Sequence, residues 1–420
     1  MDFSAVGVRP DRMMVPAPWV DKEKWACVAC DQYTSQPEYW HEAARIVADA
    51  PSCLHMIVPE CFLGEAQTRI PQIHRTMEDY CRRGVLQEQE CPGMMLIERV
   101  TDSGVRHGLV CSVDLEAYDF TGVKSLVRPT EETVAARLPA RMAVRQEAPV
   151  EASHVMLLID DAQDAVLGGL RARLGNRPYD YDFTLMQGCG QLRGRWVSDA
   201  ESLQAVLEAL LALKDKQGAE PLLFAVGDGN HSLASARAHW LRVRETLPAE
   251  EQACHPARYA MAEIVNIHDP ALGFEPIHRV LTHVEEAALL ADWAAYAAAR
   301  GMTLAEGAAE GAQRFTLVSA AGERTFSVLP ADGPLPVATL QAFLDDYLHR
   351  HPEAEIDYIH GDDVLRRLAG APGRMGFLLP ALDKAAFFPA IDALGTLPRK
   401  TFSMGHANEK RCYYECRAIR

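Results

Sequence analysis

The stretch from residue 221 to residue 236 constrains the fold more than any other part of the chain. Residues 222–226, Leu-Leu-Phe-Ala-Val, are an unbroken apolar run, which is typical of a strand that is covered on both faces. A polar turn with two glycines follows at 227–232, and apolar residues then recur at helical spacing. We therefore predict a buried strand, a tight turn and a helix that Asn230 or Ser232 could cap.

The turn carries the side chains of a candidate anion site. Gly227 and Gly229 can adopt positive φ, which lets a ligand approach the backbone closely. A glycine turn before a helix also leaves free N–H groups at the positive end of the helix dipole, and this arrangement suits phosphate. Asp228 and His231 add a carboxylate and an imidazole, and an aspartate beside phosphate normally requires a metal ion or a proton transfer. The alternative is that the glycines form only a tight turn.

Length and charge limit the classes of function. A chain of 420 residues is long for one hydrophobic core, so we predict an α/β core in residues 1–283 and an α+β lobe in residues 284–420. The formal net charge of −16 argues against general binding to nucleic acids or anionic membranes, because phosphate-rich surfaces attract basic proteins. A local basic pocket for a small anion is compatible with this charge.

Export and membrane signals are not evident in the sequence. The first residues lack the basic and apolar regions of a secretory signal, and no apolar run is long enough to span a bilayer. The eleven cysteines show no framework spacing, which favours reduced thiols in a cytoplasmic protein. Cys27 and Cys30 have metal-like spacing, but no second pair follows, so a strand is the better interpretation.

The remaining pattern alternates strands and helices and predicts a mixed α/β protein whose sheet order is open. Residues 94–101 and 105–114 read as a hairpin, and residues 64–84 as a long helix with one apolar face. Residues 54–59 are predicted to be a buried strand that ends at Glu60. Residues 180–182 are predicted to form a turn.

Several standard catalytic motifs are absent: the P-loop, the Gly-x-Ser-x-Gly elbow, His-Glu-x-x-His and the calcium loop. What remains is a set of polar residues at the ends of predicted strands, where α/β proteins usually bind ligands. Carboxylates and arginines around a glycine turn fit phosphoryl transfer, although each residue could instead end a strand, brace a helix or be solvated. Besides Asp228 and His231, the candidates are Asp31, Glu60, His268, Asp269, Arg128, Arg137, Arg279, Arg399 and Lys400.

Gly227-Asp228-Gly229-Asn230-His231-Ser232-Leu233-Ala234-Ser235-Ala236 resembles the Asp-Gly-His/Asn-His-Arg-x-x-x-Ala box of a large bacterial family that is catalogued as a domain of unknown function. Other segments resemble further boxes of that family in the same order, so the resemblance covers nearly the whole chain. These segments are Ala29-Cys30-Asp31, residues 50–60, residues 128–137 and residues 397–400.

The central box is also similar to the phosphate-contacting element of the ParB and sulfiredoxin superfamily, which includes free-serine kinases. This resemblance implies a ParB/sulfiredoxin-like phosphate-binding core and a kinase that phosphorylates the hydroxyl of a free amino acid such as serine. The implied donor is ATP, ADP or pyrophosphate with Mg²⁺. By the same resemblance Gly227, Gly229, Asn230 and Ser232 cradle phosphate, Asp228 binds metal or orients the donor, His231 contacts the transferred phosphate, and Glu60 or Asp31 is the base.

One departure from the family box affects this expectation. Where the commoner box has Arg after His, this chain has Ser232, so one phosphate-binding cation is missing locally. Either Arg279, Arg399 or Lys400 supplies that cation, or catalysis is altered or lost. The competing hypothesis is a non-catalytic sensor of a nucleotide or a phosphorylated metabolite. A DNA-partitioning role is disfavoured by the charge, so we expect a small-molecule substrate and neither nucleic acid nor membrane as a partner.

Overall fold

The computed structural model describes residues 1–133, 138–331, 333, 335–398 and 400–420. The chain divides into two compact units, Met1–Gly273 with Gly405–Arg420, and Phe274–Met404. This division differs from the expected boundary at residues 283 and 284 in two ways. The strand that begins at Phe274 pairs with other strands of the second unit, and the C-terminal segment returns to the first unit because its strands pair there.

Helices and strands alternate along most of the described chain, as the sequence pattern predicts. The helices are α1 (Lys22–Trp25), α2 (Pro37–Val47), α3 (Ala66–Arg82), α4 (Leu138–Gln146), α5 (Leu167–Leu174), α6 (Ala200–Asp215), α7 (Asn230–Arg244), α8 (Ala249–Gln252), α9 (Glu286–Ala299), α10 (Pro336–Arg350), α11 (Asp362–Ala369) and α12 (Lys384–Leu394). The strands of the first unit up to residue 273 are β1 (Val8–Arg9), β2 (Met13–Pro16), β3 (Cys27–Val28), β4 (Leu86–Glu88), β5 (Met94–Thr101), β6 (Gly104–Asp114), β7 (Val127–Pro129), β8 (Val150–Glu151), β9 (Val155–Ile159), β10 (Tyr181–Thr184), β11 (Gln191–Val197), β12 (Phe224–Asp228) and β13 (Tyr259–Asn266).

The remaining strands belong to the second unit, except the last two. They are β14 (Phe274–Thr282), β15 (Thr303–Glu306), β16 (Gln313–Ser319), β17 (Gly322–Leu329), β18 (Glu355–His360), β19 (Arg374–Leu378), β20 (Phe402–Met404), β21 (Cys412–Tyr413) and β22 (Cys416–Ala418).

A large mixed sheet organises the first unit. Its strand order is β10-β11-β5-β6-β13-β9-β12-β7, with β1 paired to β6. The apolar run 222–226 is fully buried, and β12 lies between β9, which is antiparallel to it, and the parallel strand β7. The mixed α/β class is therefore confirmed, as is the burial of the strand before the glycine turn.

Two smaller sheets return the C-terminal segment to the first unit. Strand β22 lies between β2 and β8 in a sheet of order β4-β2-β22-β8. Strand β21 pairs with β3, so that Cys412 lies opposite Val28. These pairings place the residues just before β21 beside the loop that follows β3.

The second unit has its own sheet and its own core. Its strand order is β15-β17-β16-β19-β14-β18, with β20 paired to β14. The buried indole of Trp293 on α9 contacts the rings of Phe315, Phe343 and Phe377. Among the helices in the described part of the chain, none has the length and apolar character needed to cross a membrane.

Local predictions had mixed outcomes. The predicted hairpin is confirmed as β5 and β6, and the predicted long helix corresponds to α3. The strand predicted at 54–59 is wrong: Cys53–Met56 form a 3-10 turn whose Leu54 N–H donates to the Ser52 hydroxyl at 3.2 Å, a side-chain cap that hydrophobicity does not reveal. The turn predicted at 180–182 is also wrong, because Tyr181–Thr184 pair with β11.

Candidate active site

The turn between β12 and α7 differs from the expectation in two ways. Gly227 lies within β12 and does not have positive φ, unlike Gly229. Gly229 adopts φ +91° and precedes Asn230, the first helical residue, so Gly229 rather than Asn230 or Ser232 is the N-cap, and no side chain caps the helix. The first hydrogen bond of the helix runs from Leu233 N–H to the Gly229 carbonyl at 3.0 Å. The N–H groups of residues 230–232 therefore have no acceptor within the helix.

Gly227 of β12 and Gly229 of the turn are both required by their surroundings. A Cβ atom at Gly227 would lie 2.8 Å from Leu158 Cγ, and one at Gly229 would lie 3.0 Å from Val155 Cγ1. The pairing of β12 with β9 shifts register between Val226 and Asp228. This irregularity at the end of β12 lies at the residue that carries the candidate carboxylate.

An arginine from the C-terminal segment joins two of the predicted carboxylates. Arg411 Nη2 lies 2.6 Å from Asp31 Oδ2, and Arg411 Nε lies 3.0 Å from Asp228 Oδ2. Arg411 Nη1 also donates to the His154 carbonyl. The Arg411 side chain is 0% exposed, whereas those of Asp31 and Asp228 are 25% and 15% exposed. The carboxylates therefore reach solvent, and the guanidinium lies behind them.

The backbone around Arg411 is fixed from two directions. The Arg411 carbonyl accepts a hydrogen bond from Ala29 N–H at 3.0 Å, next to the pairing of β21 with β3. On the other side, Arg106 of β6 donates to the Glu409 carbonyl at 2.8 Å, and Arg99 of β5 donates to the Asn408 carbonyl at 3.0 Å. The hairpin thus holds the segment that places Arg411 at the end of β12.

Glu60 lies next to this group. Its N–H donates to the Cys30 carbonyl at 2.7 Å, which brings Glu60 beside the residue before Asp31. Arg141 of α4 donates to Glu60 Oε1 at 2.7 Å, and both side chains are largely buried. Asp31 and Asp228 therefore share Arg411 as their cationic partner, and Glu60, whose carboxylate binds Arg141, is held through its backbone N–H next to Asp31.

The charge distribution keeps Asp228 ionised. Burial by itself raises the pKa of the Asp228 carboxyl, but the charges of Arg411 and Lys410 and the hydrogen bond from Arg411 outweigh it, so the net pKa is lowered.

Beneath the site, Glu263 is buried against Arg106 and His154. Burial raises the pKa of Glu263, and these two partners bring it down to about 2.

Other predicted residues make contacts within the protein. The Asn230 side chain accepts from Thr130 N–H at 3.0 Å and donates to Thr130 Oγ1 at 3.1 Å, so it links α7 to the segment after β7. Buried Arg128 donates to the Ser125 and Glu220 carbonyls at 3.0 and 2.9 Å. His231 and Ser232 are half-buried in the first turn of α7.

Of the cations expected to replace the missing arginine, the two that the structure describes belong to the second unit. Arg279 is buried in the second unit, where it donates to Gln341 Oε1 at 3.1 Å and to the Ile277 carbonyl. Lys400 is exposed in the same unit. Arg137 and Arg399 lie outside the described residues.

His268 and Asp269, also candidates, follow β13 and form separate pairs, the first with Asp160 after β9 and the second with His107 of β6. His268 Nε2 lies 2.6 Å from Asp160 Oδ1, and Asp269 Oδ2 accepts from His107 N–H at 3.0 Å. Neither residue has a described contact with Asp31, Asp228 or Arg411.

Sequence reasoning missed Arg411 and Lys410. The available signal was a Lys-Arg pair that leads into residues 412–414, Cys-Tyr-Tyr, an apolar and aromatic run typical of a strand. A cation at the edge of such a strand requires a carboxylate partner when it is buried, but nothing in the order of residues identifies that partner.

The donor set argues against a resident metal. The described residues contain no group of three or more His, Cys, Asp or Glu side chains that could hold a metal ion. One oxygen of Asp228 and one of Asp31 already accept from Arg411. Such a site fits Mg²⁺ only as an ion that arrives with substrate phosphates and takes one or two carboxylates, since Mg²⁺ keeps most of its remaining ligands as water.

Comparison with known proteins identifies the family. The model of a family described as a protein of unknown function (DUF1015) matches residues 10–347, and the chain belongs to that family. None of the curated proteins matches the sequence.

Solved structures give distant similarities. A mutant free serine kinase in complex with AMP aligns over 73% of this chain and 90% of its own, with 12% identity and a TM-score of 0.40. A conserved hypothetical protein from Pyrococcus furiosus aligns over 71% and 90%, with 11% identity and a TM-score of 0.35. SbnI with a C-terminal truncation from Staphylococcus aureus aligns over 73% and 85%, with 8% identity and a TM-score of 0.39. Similarities at this level establish no activity for this chain.

Proposed function

We propose that this DUF1015 protein is a small-molecule phosphotransferase that moves a phosphoryl group from a nucleotide or pyrophosphate to the hydroxyl of a free amino acid such as serine. The observation that carries the proposal is the convergence of Asp31 and Asp228 on Arg411 at the start of α7, where no side chain caps the helix. Accessible carboxylates beside an anion-binding helix end provide the two elements that phosphoryl transfer requires, a base and a site for phosphate charge.

The donor phosphates would bind at the start of α7. The N–H groups of residues 230–232 point away from the helix body and carry partial positive charge. Lys410 is half-buried and close enough to Asp228 to lower the pKa of its carboxyl. We assign to Lys410 the role of the cation that the family box supplies as the arginine after His231.

The carboxylates would divide the remaining work. Asp228, which stays ionised, orients the donor together with the Mg²⁺ that accompanies its phosphates. Glu60 or Asp31 accepts the proton of the acceptor hydroxyl as the new O–P bond forms and the bond from phosphorus to the leaving phosphate breaks. Arg411, which is fully buried, is a positioning residue because it holds the two aspartates without reaching solvent.

Product formation tests the proposal. Purified protein is incubated with serine, Mg²⁺ and, in separate reactions, ATP, ADP or pyrophosphate, and phosphoserine is detected by ³¹P NMR. We expect product with at least one donor and a loss of about 100-fold or more in kcat for Asp228→Asn, since removal of one preorganised charge in an active site has effects of that order. Asp182→Asn is the matched control, because Asp182 lies on edge strand β10 and contacts Arg193 and Gln191.

The same reactions discriminate the sensor hypothesis. If a nucleotide raises the melting temperature of the protein but no product forms, the protein is a sensor rather than an enzyme. The sensor remains the second candidate function because Ser232 stands where the family box has arginine. Full activity in Asp228→Asn would contradict the assignment of the site.

A further inference from the structure

Two buried arginines lie directly opposite each other on the hairpin of β5 and β6. Arg99 of β5 pairs with Arg106 of β6 in the antiparallel register, and the two residues are 1% and 5% exposed. Opposite residues of such a pair point to the same face with Cβ atoms about 5 Å apart, and like charges in this position are destabilising. Because a guanidinium keeps its proton in proteins, two buried ones at this position require negative charge beside them.

Glu263 supplies this negative charge to Arg106. The Glu263 side chain lies over Gly108, where a Cβ atom would be 2.5 Å from Glu263 Oε1, and the same oxygen lies 3.4 Å from Arg106 Nη2. The second carboxylate oxygen, Glu263 Oε2, lies 3.2 Å from His154 Nε2. The two oxygens of Glu263 are therefore directed to Arg106 and His154, and the anion they form does not pair with Arg99.

Arg99 makes no ion pair within the part of the chain that the structure describes. Its Nη2 donates to the Asn408 carbonyl at 3.0 Å, whereas its Nε and Nη1 are buried and have no acceptor among the described residues. Arg106 Nε is buried without a described acceptor in the same way. Buried polar groups of folded proteins nearly always have a hydrogen-bond partner, so three unpartnered guanidinium nitrogens on two adjacent arginines point to an acceptor from outside the chain.

Neighbouring groups of the C-terminal segment do not balance the charge of Arg99. The Cys412 thiol lies close enough to interact with it, but burial raises the pKa of this thiol to about 12, so it is protonated at neutral pH. Glu415 interacts with Cys412 and is also buried, and burial raises the pKa of its carboxyl, which favours the neutral form. Its carboxyl accepts a hydrogen bond from the Tyr181 hydroxyl. Within the described residues, the charge of Arg99 is therefore in excess.

We propose that a small monovalent inorganic anion of the size of chloride binds between Arg99 and Arg106 and accepts hydrogen bonds from their unpartnered N–H groups. A water molecule could accept these bonds but would leave the charge of Arg99 unbalanced, and a divalent anion would overcompensate a single excess charge. The anion would also steady the C-terminal segment, because Arg99 and Arg106 donate to the carbonyls of Asn408 and Glu409, shortly before Arg411.

Thermal unfolding of the full-length protein tests this proposal. Sodium chloride replaces sodium gluconate in steps at constant ionic strength, since gluconate is too large for a buried site between two side chains. We expect a saturable rise in the melting temperature, of about 1–2 °C when the chloride concentration is about ten times its dissociation constant. Sodium bromide should reproduce this rise, because bromide has the same charge and nearly the same size.

Two variants assign the effect to Arg99. Arg99→Met removes the excess charge and keeps an unbranched side chain, so its melting temperature should be the same in chloride and in gluconate. Arg195→Met is the matched control, because Arg195 lies on the neighbouring strand β11 and is already paired with Glu98 at 3.0 Å. This control should keep the full chloride-dependent rise.

Wild-type crystals soaked in sodium bromide give a measurement that does not depend on the folding of a variant. We expect an anomalous peak at hydrogen-bond distance from the guanidinium nitrogens of Arg99 and Arg106. The proposal is overturned if the wild-type melting temperature is equal in chloride and gluconate, if Arg99→Met keeps the chloride-dependent rise, or if the density between the two arginines is water without an anomalous signal. None of these outcomes depends on phosphotransferase activity.

Discussion

Replacement of Arg411 by methionine is the most direct test of how this site is held. The substitution keeps an unbranched side chain but removes the guanidinium that contacts Asp31 at 2.6 Å, Asp228 at 3.0 Å and the His154 carbonyl. It leaves two adjacent carboxylates without their shared cation. Removal of one partner from a buried ion pair destabilises by about 3–5 kcal/mol. Because both carboxylates keep some solvent contact, we expect a loss of about 3 kcal/mol in the free energy of unfolding at neutral pH.

The effect of Arg411→Met should depend on pH in a defined direction. In the wild-type protein the pKa of Asp228 is lowered, so its ionised form contributes stability above the unfolded pKa of about 3.9, and this contribution is lost as the pH falls through the folded value. Without Arg411, burial is opposed only by the charge of Lys410 and a backbone hydrogen bond, so the pKa of Asp228 rises from its wild-type value and the ionised carboxylate stabilises the fold less at neutral pH. The difference between wild type and variant should therefore be largest near pH 7 and shrink towards about pH 4.

Urea unfolding followed by tryptophan fluorescence at the two pH values measures this difference. Arg173→Met is the control, because Arg173 is exposed and lies 3.7 Å from Glu201, and pairs of that kind contribute about 0–1 kcal/mol. Combining Arg411→Met with Asp228→Asn should recover part of the loss, since the second change removes one unpaired charge. A loss below about 1 kcal/mol at neutral pH, or an equal loss at both pH values, would refute this account of the cluster.

Two further substitutions test the surroundings of the site. Gly229→Ala should lower the free energy of unfolding by about 1–2 kcal/mol, because φ of +91° is unfavourable for alanine and the added Cβ would lie 3.0 Å from Val155 Cγ1. Chemical denaturation measures this loss, and an unchanged denaturation midpoint would contradict the prediction. Glu263→Gln should cost about 3 kcal/mol at neutral pH, because Arg106 and His154 lose a buried anion. Since the folded pKa of Glu263 is about 2, its contribution is present above about pH 4 and lost as the pH falls towards 2, so wild type and variant should converge in strong acid.

Much of the site could be predicted from local sequence. The apolar run 222–226 and Gly229 identified the end of β12 and the turn, because burial and positive φ are local properties. Gly227, which was expected in the turn, lies within β12 instead. Asp31 and Glu60 were also selected as strand-end carboxylates. Asp31 binds Arg411, whereas the strand expected before Glu60 does not form and Glu60 is attached beside Asp31 through its backbone. The residue that caps α7 was misassigned, since a glycine in the left-handed region replaced a side-chain cap.

The cations of the site could not be predicted from the sequence. Asp31, Asp228 and Arg411 lie far apart in the sequence, each well over a hundred residues from the next, and no periodicity connects them. They meet because β21 pairs with β3 and because Arg99 and Arg106 hold the backbone that leads into β21. Arg279 was an equally reasonable candidate on residue type, yet its hydrogen bonds are made to Gln341 and Ile277 in the second unit.

The amino-acid sequence by itself determined the buried strand, the glycine turn and the acidic side chains at the ends of elements, since these follow from the polarity and the backbone freedom of neighbouring residues. Only the tertiary structure decided which cation balances those acids and which face of the cluster meets solvent. The physical reason is that ion pairing and burial depend on distances between atoms that strand pairing brings together, and the free energy that selects such a pairing is distributed over the whole first unit.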